Sequence, residues 1–457
     1  MGMGRRRRES QGELWIATSD APQTPRHVFY QKLNRLLAEA DFDDLVEDLC
    51  EPFYVDGGRP SIPPGVYFRM LLVGYFEGID SQRGIAWRCA DSLSLKKFLG
   101  YRPFEKTPDH SSLTYIRRRL SLEVHERVFE LVLQMAADRK LLSGRVVATD
   151  STMLEADAAM KSIVRRESGE DWNAYLTRLM REEGIIEEDE EPTDNDRRKF
   201  DRTRKNKKVS NKEWQSPTDV DSRIAKMKDG RTHLAYKAEH TVDLESEFLL
   251  DATIYRADKS DGDTLLQSLT EAQKHLDQAG ADITIEKAAA DKGYHKNETL
   301  ADCVECGMKT YIPEPDSKHQ RRWTNKPPEH KDAVYNNRRR MSRDYGKRLQ
   351  RKRSELVERS FAHICETGGA RRTRLRGLEN VRKRYTIVVA GRNLGLLMRK
   401  LFGVGKPRCL QAAIGLVLIF RVLAKRLRRA RFIAQRTRRI WQRIVAFRPS
   451  DHSAELP

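Results

Sequence analysis

Apolar residues in the first third of the chain recur at helical spacing. Between about residues 26 and 50 they fall at Val28, Phe29, Leu33, Leu36 and Leu37, the rhythm of one buried helix face. "GGRPSIPPG" at 57–65 interrupts the pattern, because Gly and Pro punctuate regular structure. Three helical stretches follow: "VYFRMLLVGYFEG", "SQRGIAWRCADSLSLKKFLG" and, after Pro108, "DHSSLTYIRRRLSLEVHERVFELVLQMAADRKLL". Asp109, Ser111 and Ser112 are candidate N-caps of the last, since their side-chain oxygens can accept the free N–H groups of a first turn. At Gly144 the pattern changes, and "RVVATD" (145–150) reads as a short strand ending in a carboxylate. From about 153 to 230 apolar periodicity nearly vanishes. An acidic run, "EEGIIEEDEEPTDND", adjoins a basic one, "RRKFDRTRKNKK", which predicts a solvated, mobile insertion or helical linker. "RTHLAYKAEHTVD" and "EFLLDATIYRA", joined by "LES", predict an antiparallel hairpin. An amphipathic helix, "DGDTLLQSLTEAQKHL", leads to "IEKAAAD", a second strand ending in an acid, Asp291. A helix near 296–306 and a short strand, "TYIP", come next. "SELVERSFAHI" is helical, with Val357, Phe361 and Ile364 on one face, and "RLRGLENVRKR" and "YTIVVAGRNLGLLMRKLF" are two more helical segments. The order of elements predicts an α/β sheet of mixed strand direction behind an all-helical N-terminal part.

Charge narrows the partner. The 457 residues carry 86 Lys and Arg against 67 Asp and Glu, a formal net charge of +19. Such an excess suits a polyanion, most simply nucleic acid. The basic residues cluster in a start expected to be a mobile arm, "MGMGRRRRES", in the segment 318–353, and in a tail, "RVLAKRLRRARFIAQRTRRIWQRIVAFR" (421–448), that holds no acid at all. The arm lacks the apolar stretch of a signal peptide. "AAIGLVLIF" is too short to span a bilayer before Arg421 interrupts it. Six scattered cysteines make no disulfide framework, and the lone pair Cys303 and Cys306 lacks a partner at zinc spacing. A cytoplasmic protein without membrane contact is expected.

The candidate chemistry lies in the acids. A crossover containing a helix makes two strands of one sheet parallel, and parallel strands end at the same edge, where ligands of α/β sheets gather. Asp150 and Asp291 would then meet. Two close carboxylates repel unless they share a proton or a divalent cation, and oxygen-only sites suit Mg²⁺ or Mn²⁺. Glu358 is the third candidate, about 100° round the helix from Val357, with Glu355 its competitor three residues away. Arg351, Lys352, Arg353 and Arg359 around them suit an anionic substrate. Asp258, Asp261 and Asp263 in "DKSDGD" read as a turn and helix cap, lacking the rest of an EF-hand spacing. A plainer reading makes Asp150 and Asp291 turn or cap residues and Glu358 a surface ion-pair partner.

From about 25 to 402 the chain resembles a DDE transposase of a bacterial insertion sequence, in the RNase H-like superfamily. "GRPSIPPGVYFRMLLVGYFEGIDSQRGIAWRCADSLSLKKFLGY" with "TPDHSSLTYIRRRL" resembles the helical N-terminal domain of such enzymes. "VVATDST" and "AADKGYH" resemble the two Asp strands, "LVERSFAHI" the Glu helix, and "RLRGLENVRK" with "AGRNLGLLMRKL" the helices after it. The resemblance implies a catalytic triad of Asp150, Asp291 and Glu358 holding two Mg²⁺ ions, with Mn²⁺ able to substitute. It implies binding of the element's terminal inverted repeats, cleavage to expose 3′-OH ends, and joining to target DNA by a homodimer or larger assembly. Where many relatives have Lys seven residues after the Glu, this chain has Cys365. Where they have Arg four residues before it, Ser354 stands, with Arg353 adjacent. Arg353 or Arg359 is the expected substitute in positioning DNA, and Arg117, Arg118 and Arg119 are the expected DNA contacts of the helical domain.

The expected organisation is a basic arm (1–24), a helical DNA-binding domain (25–143), and an RNase H-like catalytic domain with a mixed five-stranded sheet (144–402, insertion 153–230). A basic helical tail (403–457) ends the chain. Two rival functions share these features: a nuclease that cuts without joining, and a non-catalytic DNA-binding regulator.

Overall fold

The computed structural model describes residues 25–407, except 56, 58–60, 206–208, 228, 317–320 and 322. The chain divides into two compact units, Tyr30–Gly405 and one that joins Met1–Phe29 with Lys406–Pro457. Of the second only residues 25–29, 406 and 407 are described, so the expected arm and basic tail lie outside the described residues.

The N-terminal region is helical: α1 (Pro25–Ala38), α2 (Phe42–Cys50), α3 (Pro64–Glu77), α4 (Gln82–Ala90), α5 (Leu93–Phe98), α6 (His110–Arg119) and α7 (Leu122–Asp138). Two stretches expected to be continuous helices are each cut by a serine. Ser92 and Ser121 take extended conformations, and their side chains accept the N–H groups of Leu95 and Val124. A capping hydroxyl satisfies a new helix start more readily than it continues an old helix. Asp109 caps α6 as expected.

The sheet follows: β1 (Val146–Glu155), then the small pair β2 (Val164–Arg165) and β3 (Trp214–Gln215), which flank α8 (Trp172–Glu182) and α9 (Asp194–Thr203). Next come β4 (Arg223–Lys226), β5 (Thr232–Asp243), β6 (Leu249–Arg256), α10 (Asp261–Gln278), β7 (Lys287–Ala290), α11 (Asn297–Glu305) and β8 (Lys309–Tyr311). Three helices close the unit: α12 (Pro328–Ser342), α13 (Asp344–Thr367) and α14 (Leu378–Phe402). The last unites two segments that the sequence suggested were separate.

Among the described residues the main sheet has six strands, not five. β1 pairs antiparallel with β5 and parallel with β7, and β7 pairs parallel with β8. On its other edge β5 is shared. Thr232–Ala235 pair with β4, and Tyr236–Val242 pair with β6. The sixth strand is the four-residue β4, inside the segment expected to be an insertion. That segment is folded rather than loose. Leu176, Met180 and Phe200 form a small core, joined by Trp172, Tyr175, Leu179 and Ile186. Trp214 packs on Trp172 at 5.1 Å between ring centroids. Arg165, Arg178 and Arg204 lie over these rings. Aromatic area and cation–π contacts replace the aliphatic periodicity that the sequence lacks.

Side chains alternate across the sheet. One face is covered by α13 and α14, the other by α10. α14 is buried along most of its length, against α3, α7 and β6. Asn393 pins it to β6 by accepting the Leu249 N–H at 3.1 Å and donating to the Leu249 carbonyl at 2.8 Å.

Candidate active site

The parallel ladder between β1 and β7 ends at Thr149 opposite Ala290. The next residue on each strand is an acid, so Asp150 and Asp291 stand side by side at one edge. β1 itself does not end there. It runs five residues further, with Asp150 opposite His240 of β5. Asp291 leaves its strand, caps a 3₁₀ turn (Lys292–Tyr294), and accepts the Lys292 N–H at 2.7 Å.

Asp150 is half-buried. Its Oδ1 accepts the Ser151 N–H at 2.8 Å, and its Oδ2 accepts from Arg353 Nη1 at 2.7 Å. Burial raises its pKa, the Ser151 N–H and Arg353 pull it down, and the charges of Asp291 and Asp261 push it up again. Burial is the main cause of the rise, and the neighbouring anions add to it. Oxygen donors that repel one another and face a guanidinium counter-charge are a chemically suitable set for a hard divalent cation. Among the described residues, however, no group of three His, Cys, Asp or Glu side chains is arranged to hold a metal ion.

Glu358 is exposed on α13 and has no hydrogen bond or ion pair with a described residue. Its height on the helix follows from its neighbours. Arg353 touches Asp150, while Ser360 bonds His240 Nδ1 at 2.8 Å and Phe361 stacks on the same ring at 3.9 Å. Glu358 thus lies between two contacts made to the Asp150–His240 pair, on the flank of the helix. Its competitor Glu355 is exposed and paired with Arg359, which also donates to Glu247 at 3.1 Å.

Of the three expected DNA-contacting arginines in the helical region, Arg118 and Arg119 are exposed, and Arg119 lies over the Tyr54 ring. Arg117 is buried instead, its Nε donating to Asn380 of α14 at 3.3 Å. The i+1 spacing turns it inward by 100° from its neighbour. Cys303 is buried and Cys306 exposed; burial pushes the Cys303 thiol up to about 12.

The sequence did not reveal the polar layer on the opposite face. Ser151 donates to Asp261 Oδ1 at 2.9 Å. Lys237, only 1 % exposed, donates to the same oxygen at 2.9 Å and pairs with the fully buried Glu239 at 3.1 Å. Asp261 therefore reaches back towards Asp150 from the first turn of α10, which is more than a cap does. The visible signal was "YKAEH", two opposite charges at i, i+2 within an otherwise apolar strand.

A family model described as a transposase domain (DUF772) matches residues 19–119, and one described as a transposase DDE domain matches residues 278–398. The chain belongs to the DDE transposases of insertion-sequence type. The second match spans β7 with Asp291 and α13 with Glu358, while β1 with Asp150 precedes it. The first covers the helices up to Arg119. No curated protein matches the chain. DDE transposases act on DNA and depend on divalent metal. No helix among the described residues is long and apolar enough to cross a membrane.

Proposed function

We propose that this transposase binds the terminal inverted repeats of its own element, hydrolyses the phosphodiester at each end, and joins the freed 3′-OH to target DNA. The observation that carries the reading is the placing of Asp150 and Asp291 on neighbouring parallel strands at the end of their shared ladder. We take Asp150, Asp291 and Glu358 as ligands of two Mg²⁺ ions, with α13 supplying Glu358 at the level of Asp150. Bound there, the ions would activate the attacking oxygen and stabilise the leaving one. The chain's own part is to hold one carboxylate on β1 and the other just past the end of β7, set Arg353 and the Ser151 N–H against Asp150, and offer cationic side chains to the DNA.

The order β4-β5-β1-β7-β8, with β6 also paired to β5 and β5 running against β1, β4 and β6, supports an RNase H-like catalytic domain. Exposed Arg118 and Arg119 on α6 support recognition of the DNA ends by the helical region, without Arg117. Phosphate contacts there would orient the protein and base contacts would specify the sequence. Pairing two element ends requires at least a dimer on DNA.

The test uses a duplex carrying the DNA that flanks the gene, with the 3′ end already exposed, and a labelled target. The expected result is Mg²⁺-dependent appearance of joined product. Cutting of a second duplex with the end still uncut, without joining of the exposed one, would favour a nuclease. Binding with neither reaction would favour a regulator.

A further inference from the structure

We propose that Arg353 couples cation loading at Asp150 to DNA binding, holding the carboxylate closed until a phosphodiester takes the guanidinium away. The inference rests on the reading of Asp150 as a cation ligand. Both oxygens of Asp150 are already engaged, one by the Ser151 N–H and the other by Arg353 Nη1. A divalent cation binding directly to Oδ2 has to displace the guanidinium, which is itself 11 % exposed.

Arg353 has little else to keep it. Its other contact among the described residues is a 3.3 Å bond from Nη2 to Ser354 Oγ, and its buried Nε has no partner among them. Arg359, one turn and a half along the same helix, holds two carboxylates, Glu355 and Glu247. Arg353 has one, Asp150. Once displaced it is a guanidinium with no second carboxylate to receive it among the described residues. A half-satisfied, largely buried cation is unfavourable, and a phosphate matches its planar fork in two parallel hydrogen bonds. DNA arriving at this edge therefore removes what blocks the cation, and the cation removes what withholds Arg353 from DNA. The two affinities must rise by the same factor, because linkage is reciprocal.

The experiment measures Mn²⁺ binding to the full chain by titration, with and without a duplex carrying the element end. Wild type is compared with Arg353→Gln, Arg353→Lys, Arg351→Gln and Asp150→Asn, each shown by its melting transition to be folded. Arg351 is exposed on the same helix and makes the charge-matched control. Without DNA, Arg353→Gln should bind Mn²⁺ about tenfold tighter than wild type, and Arg351→Gln within about twofold, at the coupling strength usual between linked sites. Arg353→Lys, which keeps the charge and loses the fork, should lie between wild type and Arg353→Gln. DNA should raise the affinity of wild type more than that of Arg353→Gln, by that same factor. Equal or weaker binding by Arg353→Gln, or an equal gain in Arg351→Gln, overturns the inference while Asp150→Asn still loses Mn²⁺. Wild-type Mn²⁺ binding by Asp150→Asn overturns the ligand reading, and this inference with it.

Discussion

Replacing Lys237 by Met should destabilise the protein by about 3 kcal/mol. Lys237 lies on β5 at 1 % exposure, between Asp261 and the fully buried Glu239. Met keeps most of the stem's volume and removes the charge, so Glu239 stays behind as an uncompensated buried anion. Breaking a buried pair in this way costs about 3–5 kcal/mol. The lower end applies here, because Glu239 keeps three hydroxyl donors: Thr264 at 2.7 Å, Ser268 at 2.6 Å and Tyr294 at 2.9 Å. For a unit the size of Tyr30–Gly405, typical unfolding entropies turn ~3 kcal/mol into a fall in melting temperature of about 4 °C. Adding Glu239→Gln removes the stranded charge and should recover more than half of the loss. The assay is thermal unfolding of the single and double variants in one buffer at neutral pH. A Lys237→Met protein melting within about 1 °C of wild type, or a double variant worse than the single, would refute the reasoning.

Asp251 gives a pH signature. Burial, with repulsion from Glu239 and Glu271, raises its folded pKa well above the usual carboxylate range. A raised carboxyl contributes most at low pH and loses that contribution between its unfolded and folded pKa, at about 1.4 kcal/mol per pH unit. Urea unfolding from pH 4.5 upwards should show wild-type stability falling more steeply than that of Asp251→Asn. Gly391→Ala should cost about 1–3 kcal/mol, since a Cβ there would sit 2.8–3.1 Å from Cδ1, Cγ and Cβ of buried Tyr75; chemical denaturation measures it. Truncation at Pro407 removes eleven Lys and Arg between Arg421 and Arg448. If half touch phosphate, the slope of log K against log salt should flatten by about 4–5 units.

The helical character of the N-terminal region, though not its division into α1 to α7, the β5–β6 hairpin and the two acid-bearing strands were legible because each is written in local periodicity. The meeting of Asp150 and Asp291 was legible too, since a helix-containing crossover leaves parallel strands few alternatives. What stayed hidden depends on contacts between distant segments. The pairing of β4 with Thr232–Ala235 has four residues and no alternation to announce it. The α8–α9 core is built from aromatic rings and arginines that read as a charged linker. The inward turn of Arg117 is decided by Asn380, 263 residues away. The grip of Arg353 on Asp150 spans 203 residues, and no spacing rule along the chain contains it.

The central claim is that Asp150, Asp291 and Glu358 carry the cleavage. Single-turnover cutting of element-end DNA in Mg²⁺ by the three Ala variants, beside Glu355→Ala, tests it most directly. All four proteins should fold and bind the DNA. Asp150→Ala, Asp291→Ala and Glu358→Ala should lose cleavage by orders of magnitude, because metal-assisted activation of the attacking oxygen is lost with any ligand. Glu355→Ala should cut almost normally. Near-normal cleavage by Asp150→Ala would contradict the account, leaving Asp150 as the ion-pair partner of Arg353 and nothing more.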